Sequence, residues 1–270
     1  MPHLHHRGLR IHYEDRGEGR PLLLLHAGTS SCLQWRRYAR LLGPGHRLIT
    51  PDLPGHGGSD PSPEILPDQL LPAALGVLDH LLGHLDLRAP LHLVGHSLGG
   101  LIALLYALQR PGRTASLTLF EPVVFELLDR RGPPELAAEC HRVAADCLAA
   151  VDAGDPEAAQ RRFITYWSGP AHWQLLGDQE RAHLIEAAPL LHRVGIPATF
   201  NAGVTEPALR ALTVPTLLLD ADRSPAPARA IVDHLAALLP AARRRTIQEA
   251  GHMAPITHAP QVAALLRANI

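Results

Sequence analysis

Residues 91–100 read Leu-His-Leu-Val-Gly-His-Ser-Leu-Gly-Gly, a short apolar run that ends in G-x-S-x-G and leads into an apolar helical pattern. A serine at such a strand-to-helix corner can serve as a nucleophile. The corner strains the backbone at Ser97, and glycine at 95 and 99 leaves room for it. The amide of Leu98 and the dipole of the following helix favour negative charge that develops beside the serine. The plain alternative is a glycine-rich turn with an incidental serine, and the flanking strand and helix argue against it. A hydroxyl attacks poorly until a base takes its proton, so this chemistry also asks for a histidine and a carboxylate that orients it. Of eighteen histidines, His252 falls late in the chain, after Gly251 and a predicted strand. The candidate carboxylates are Glu121, directly after a predicted strand over 116–120, and Asp220 and Asp222, after a predicted strand over 216–219.

These groups must be held by a scaffold, and the pattern supplies one. Short apolar runs alternate with amphipathic helices, which predicts an α/β fold with a largely parallel sheet. Strands are expected over 9–14, 22–25, 48–50, 91–94, 116–120, 216–219 and 244–248, and helices over 35–42, 68–82, 98–109, 226–239 and 261–269. Residues 121–210 break the rhythm, with helix-like pieces over 135–150, 156–167 and 178–187 and little strand pattern. A compact domain does not carry a structureless loop of that length, so a helical insertion is expected. It holds Phe125, Phe163, Tyr166, Trp167, Trp173 and Phe200, six of the chain's eleven aromatic residues. Some of these must fill the insertion's own core, and others can line a pocket.

Composition excludes several classes. With 270 residues, 46% of them apolar, the chain can bury a full core and is not disordered. No apolar stretch approaches the ~20 residues of a membrane span. The first residues lack the apolar core of a secretory signal, so a cytoplasmic protein is expected. The 25 basic residues, all Arg, nearly cancel the 26 acidic ones, which argues against an electrostatic nucleic-acid binder. Arg in place of Lys throughout, with abundant Leu and Ala, is the composition of a GC-rich bacterial genome. Three cysteines make no disulfide framework, and Cys140 and Cys147 stand about 10 Å apart along a helix, too far to bridge. His80 and His84 have i, i+4 spacing and His3, His5 and His6 cluster. The His80–His84 pair lacks the glutamate of H-E-x-x-H and no third ligand for it is evident, so no metal is expected.

Three further segments give the chain a resemblance. Leu24-Leu25-His26-Ala27-Gly28, Pro51-Asp52-Leu53-Pro54-Gly55-His56-Gly57-Gly58-Ser59-Asp60 and Ala250-Gly251-His252-Met253-Ala254-Pro255, with the serine corner, resemble the α/β-hydrolase superfamily, in its serine esterase and cofactor-free haloperoxidase-like branch. The resemblance implies a mostly parallel eight-stranded sheet flanked by helices. Residues 1–120 and 211–270 would form the core, and 121–210 a helical cap inserted after the sixth strand. It implies Ser97 as nucleophile, His252 as base and an oxyanion hole from the amides of Gly28 and Leu98, with Ala27 in place of the usual glycine. In most relatives the acid stands about five residues past the next-to-last strand, which falls here on Ser224. Asp222 would serve if that loop is short. Some relatives, certain haloalkane dehalogenases among them, carry the acid after the strand beside the nucleophile strand, which is Glu121 here. Glu121 is therefore the first candidate, Asp222 the second and Asp220 the third.

The resulting expectation is a serine hydrolase that cleaves a small, apolar or aromatic carboxylic ester through an acyl-enzyme, without metal or organic cofactor. Its partner would be a small-molecule substrate, not nucleic acid or membrane. Phe125, Trp167 and Trp173 from the insertion, with Trp35 from the helix after the oxyanion loop, are the candidate pocket walls. Hydrolysis of a carbon–carbon bond in a diketone-like substrate, lactone hydrolysis and perhydrolysis use the same machinery. A ligand-binding protein on a hydrolase scaffold is the alternative from another class. Dehalogenase and epoxide hydrolase chemistry is disfavoured, because both form an ester on an aspartate where this chain has Ser97.

Overall fold

A computed structural model describes residues 2–61 and 64–270. Its centre is an eight-stranded sheet in the order β1-β2-β4-β3-β5-β6-β7-β8. The strands are β1 (His3–His6), β2 (Leu9–Arg16), β3 (Arg20–Leu25), β4 (His46–Pro51), β5 (Leu91–His96), β6 (Thr114–Phe120), β7 (Thr216–Ala221) and β8 (Ala242–Ile247). β2 runs antiparallel to β1 and β4, and all the other pairings are parallel.

Parallel strands joined by helices are covered on both faces, which explains their continuous apolar runs. Side chains alternate between the faces. Leu23, Leu25, Leu93 and Leu119 pack with α2 (Pro67–His84) and α3 (Leu98–Gln109). Leu22, Leu24, Val94 and Phe120 face the other way, against α1 (Tyr38–Leu42) and the C-terminal helix. Each such leucine contributes about 1.5–3 kcal/mol by leaving water. β8 closes one edge with three consecutive arginines, a charge pattern that discourages pairing with another chain.

The sequence pattern hides one strand and misreads one helix. Three of the four residues of β1 are histidines, and only Leu4 turns inward, so no apolar alternation marks it. The helix expected over 35–42 is two pieces, a 3-10 turn at Cys32–Trp35 and then α1, which ends at the left-handed Gly43. Trp35 is consequently driven into the core beneath the sheet, against Tyr38.

Between β6 and β7 the chain is helical. The helices are α4 (Phe125–Arg131), α5 (Pro134–Asp152), α6 (Pro156–Ser168), α7 (Pro170–Leu175), α8 (Asp178–Leu190), a π-helical turn at Leu191–Gly195, α9 (Ile196–Phe200) and α10 (Glu206–Ala211). The entry and exit of this segment are latched together. Glu126 on α4 accepts the Val204 N–H at 2.6 Å, and Arg130 donates to the Val204 carbonyl at 2.6 Å. Small apolar clusters hold the outer helices, one of Cys147, Val151, Ala159 and Ala188, the other of Ile164, Trp173, Leu176 and Leu184. After β7 come α11 (Ala226–Leu238) and, beyond β8, α12 (Ala254–Thr257) and α13 (Ala259–Arg267). Among the described residues no helix is long and apolar enough to cross a membrane.

Candidate active site

Ser97 stands between β5 and α3 with φ 54° and ψ −115°, a left-handed conformation that costs a non-glycine residue energy. Main-chain bonds hold it there. Its N–H donates to the Phe120 carbonyl at 3.0 Å, and its carbonyl accepts the Leu101 N–H at 3.0 Å. The corner has no room for side chains. A Cβ on Gly95 would lie 2.3 Å from the Gly99 carbonyl oxygen, and one on Gly99 would lie 2.4 Å from that of Leu25.

The two expected oxyanion residues are neighbours, since a Cβ built on Gly28 would lie 3.6 Å from the Leu98 Cβ. Leu98 opens α3, so its N–H is among those a helix leaves without an intrahelical acceptor. The Gly28 amide is aimed by its neighbours. His26 accepts the Leu53 N–H on Nε2 at 3.0 Å, so Nδ1 carries the proton and donates to the Ala27 carbonyl at 2.7 Å. Burial, with His56 alongside, keeps this imidazole neutral and lowers its pKa to about 4. In a trans peptide the next N–H points opposite to that carbonyl. The Gly28 N–H is therefore turned away from His26, while His56 Nε2 donates to the Gly28 carbonyl at 2.7 Å. Gln34 Oε1 accepts the Ala27 N–H at 3.2 Å and lies 3.3 Å from His96 Nδ1, which ties this loop to the residue before the nucleophile.

His252 Nδ1 lies 2.6 Å from Glu121 Oε2. Glu121 is fully buried at the end of β6, and its other oxygen accepts the Ala221 N–H at 2.8 Å. Its N–H donates to the Leu219 carbonyl, and its φ of 42° is again left-handed. The neighbouring strand β7 thus fixes the carboxylate, and the carboxylate fixes the imidazole. With Nδ1–H donated to Glu121, Nε2 is the atom left to act as base. Among the described residues no hydrogen bond joins Ser97 Oγ to this ring, a contact that tightens in substrate complexes. The His96 ring packs 4.8 Å from His252, and burial holds it well below its ordinary pKa, hence neutral.

The other carboxylates have different work. Asp222 accepts the Ala250 N–H at 3.2 Å and so pins the loop that leads to His252. Hydrogen bonds from the backbone at Glu249 and Ala250 hold its carboxyl below the usual range. Asp220 is occupied by Arg244 at 2.6 Å and Thr246 at 2.8 Å. Ser224 is buried with an unpartnered hydroxyl.

Ser97, Leu98, Gly28 and His252 line one cavity of about 550 Å³, its open mouth included. Phe125, Phe163, Ile164, Trp167 and Ser168 line it from α4 and α6, and Leu191, Gly195, Ile196 and Thr199 from the π-helical turn and α9. Two expected wall residues do not reach it. Trp35 is enclosed in the core under the sheet, because its turn packs against Tyr38. Trp173 belongs instead to the cluster with Ile164, Leu176 and Leu184, where α7 packs on α6. The sequence reading missed Leu191, Ile196 and Thr199, which carry no aromatic signal.

One further cluster joins His12, Cys32 and Asp52. Asp52 accepts the Cys32 N–H at 2.6 Å and the Gly58 N–H at 2.8 Å and lies 2.7 Å from His12 Nδ1. Burial pushes the Cys32 thiol up, so it stays protonated. The carboxylate is a hydrogen-bond node that ties β2, β4 and the 3-10 turn together.

Comparison with known proteins places this geometry. An esterase from Thermogutta terrifontis superposes with a TM-score of 0.77 at 24% identity, over 96% of this chain and 92% of that one. A structure described as an N-acyl homoserine lactone degrading enzyme gives 0.76 at 21% identity, over the whole of both chains. A 2-hydroxy-6-oxo-6-phenylhexa-2,4-dienoate hydrolase from Burkholderia cepacia is 37% identical over 42% of this chain and 40% of its own length. The chain spans about 40% of the length of the curated relatives it matches. The model of the alpha/beta hydrolase fold family matches residues 20–259. With that match over most of its length, the chain belongs to the alpha/beta hydrolase fold family.

Proposed function

We propose that the chain is a serine hydrolase of small, neutral, apolar or aromatic carboxylic esters, with residues 121–210 as the cap over its site. Ser97 Oγ attacks the ester carbonyl while its proton passes to His252 Nε2. The Gly28 and Leu98 amides receive the oxyanion. His252 then gives that proton to the departing alkoxide, leaving the acyl group on Ser97. In the second half His252 takes a proton from water, the hydroxide attacks the acyl-enzyme, and the acid leaves as Ser97 regains its proton. Glu121 holds the tautomer and stabilises the imidazolium throughout.

The observation that carries the substrate class is the cavity wall. Its polar side chains are Thr29, Ser97, Ser168, Thr199 and His252, and no Asp, Glu or Arg is among its described lining residues. A carboxylate brought there would lose its water without gaining a cation. This weighs against a dienoate of the kind named for the Burkholderia relative, and it favours neutral esters, open or cyclic. An activated nucleophile also weighs against a purely binding role.

The test compares 4-nitrophenyl butyrate with 4-nitrophenyl hemisuccinate, which has the same chain length and an added carboxylate. kcat/KM should favour the neutral ester by at least about a hundredfold. A fluorophosphonate probe should label the chain, and Ser97→Ala should abolish the labelling. Preference for the anionic ester would overturn the substrate class, and labelling of Ser97→Ala would overturn the nucleophile.

A further inference from the structure

Trp167 is the point at which the helical segment meets the catalytic histidine. It lies on α6, buried, with its ring centroid 4.8 Å from that of His252 and the planes at 42°. Phe125, Phe163 and Tyr166 surround it with centroids at 6.0, 6.2 and 5.0 Å, so the indole has little freedom to turn away. Its Nε1–H is buried without an acceptor among the described residues. An unmet buried donor is destabilising, a cost that an apolar side chain here would avoid. Packing alone does not account for tryptophan here. The indole offers the strongest π face for a cation. The cation within reach is the imidazolium that forms when His252 takes the Ser97 proton.

We propose that Trp167 is a positioning residue of the proton relay, whose indole face holds the His252 ring and stabilises its protonated form. Its catalytic meaning rests on the serine-hydrolase reading. It makes the cap a working part of the machinery as well as a wall, because any movement of α6 would shift the face from the ring.

The charged and titratable groups around His252 leave this role open. From β6 comes Glu121, bound at Nδ1. From β5 comes His96, neutral and buried, whose ring offers no charge. From the loop after β7, Asp222 is bonded to the Ala250 amide two residues upstream of His252. On the same side Arg223 and Glu249 form an exposed pair at 3.9 Å. Trp167 is the group that the helical segment brings against the ring.

The test follows the His252 resonance by NMR of the full chain carrying 13C-labelled histidine, assigned by its loss in His252→Gln. Trp167→Met should lower the titration midpoint of this resonance by about half to one pH unit, and Trp167→Phe by less. The acid limb of kcat/KM for 4-nitrophenyl butyrate should move in the same direction, and kcat should fall by more than KM changes. A midpoint that stays or rises in Trp167→Met, with only KM altered, would make Trp167 a simple wall and overturn the proposal. If Trp167→Met loses the native circular dichroism spectrum, Trp167→Phe is read in its place, and an unmoved midpoint there overturns it equally. The titration needs no turnover. A chain that titrates as expected yet hydrolyses no ester would sink the ester reading alone.

Discussion

The two sides of the cavity are built by different means. On the sheet side Ser97 and Glu121 are fixed by the main chain, and His252 through the Glu121 carboxylate. The Ser97 N–H goes to Phe120, Glu121 Oε1 takes the Ala221 N–H, and the Gly99 N–H goes to the His26 carbonyl at 3.2 Å. Two left-handed non-glycine residues, Ser97 and Glu121, stand at the ends of adjacent strands, where neighbouring backbone over-determines their conformation. On the helical side the wall is made of side chains, Phe125, Phe163, Trp167, Leu191 and Ile196, which contribute shape and dryness. Phe125 and Trp167 join the main apolar core, whereas the outer helices rest on two clusters of four buried residues each, and a latch at Val204 ties the segment's ends. In the proposed mechanism the groups that need placing to within a few tenths of an ångström stand on the side held by the main chain, and selection by shape on the side made of side chains.

The largest expected effect would break the sheet side at its acid. Glu121→Gln keeps the size of the side chain but replaces the carboxylate that orients His252, and its amide can present the wrong group to Nδ1. By analogy with amide replacement of a triad acid, kcat should fall about 10³- to 10⁴-fold. Asp222→Asn should change kcat by less than about threefold, since Asp222 serves the Ala250 amide and not the imidazole. Steady-state kinetics on one ester reads both variants. A larger loss in Asp222→Asn would transfer the acid to the loop after β7.

This contrast also decides what the sequence makes legible. Glu121 comes first among three carboxylates on the resemblance, and the parallel sheet gives the reason: β6 pairs with β5, so the residue after β6 stands beside the end of β5, where Ser97 is. Ser97 and His252 are marked by glycine spacing and chain order. The helical side has no such rule. Trp35 and Trp173 are aromatic in the right parts of the chain, yet helical periodicity does not say which face of a helix meets the cavity. Leu191 and Ile196 come from a π-helical turn, and no residue type announces that geometry. β1 escaped because histidine conceals alternation. α4 and α10, seven and six residues long, are too short for their periodicity to stand out.

A middle-sized effect separates the regions by acid. His192 is buried in the π-helical turn, edge-on to Phe163 at 5.4 Å, and both of its ring nitrogens lack partners among the described residues. Burial lowers its pKa to about 4. Its unfolded value is near 6.5, so between those two pH values the unfolded chain binds the extra proton. The neutral ring's stability is therefore complete above about pH 6.5 and is lost as pH falls towards 4, a change of up to about 3 kcal/mol. His192→Phe should remove that share of the acid sensitivity. Thermal unfolding of the two proteins at pH 7 and pH 4.5 is the comparison. An equal drop in Tm for both would show that this imidazole is solvated in the folded protein. His26 and His96 keep their own acid sensitivity on the sheet side, so the variant's curve should flatten only in part.

The smallest effect sharpens the boundary within the helical side. Trp173 and Phe163 lie on neighbouring helices, but only Phe163 lines the cavity. Trp173→Phe leaves an aromatic ring among Ile164, Leu176 and Leu184 and removes the volume of one small ring. In a cluster near the surface this should cost about 1 kcal/mol, seen as a Tm lower by a few degrees or less. The reacting groups do not touch it, so kcat/KM for a neutral ester should stay within about twofold of the parent. Phe163→Leu changes the wall itself. Its stability loss should be of similar size, while KM should shift with the length of the acyl chain offered, rising for the esters that depended on the ring. Two variants with matched losses of stability thus differ in whether substrate length matters. If Trp173→Phe altered the acyl-length profile as much as Phe163→Leu does, the wall would extend through α6 to α7, and shape selection would belong to the whole segment.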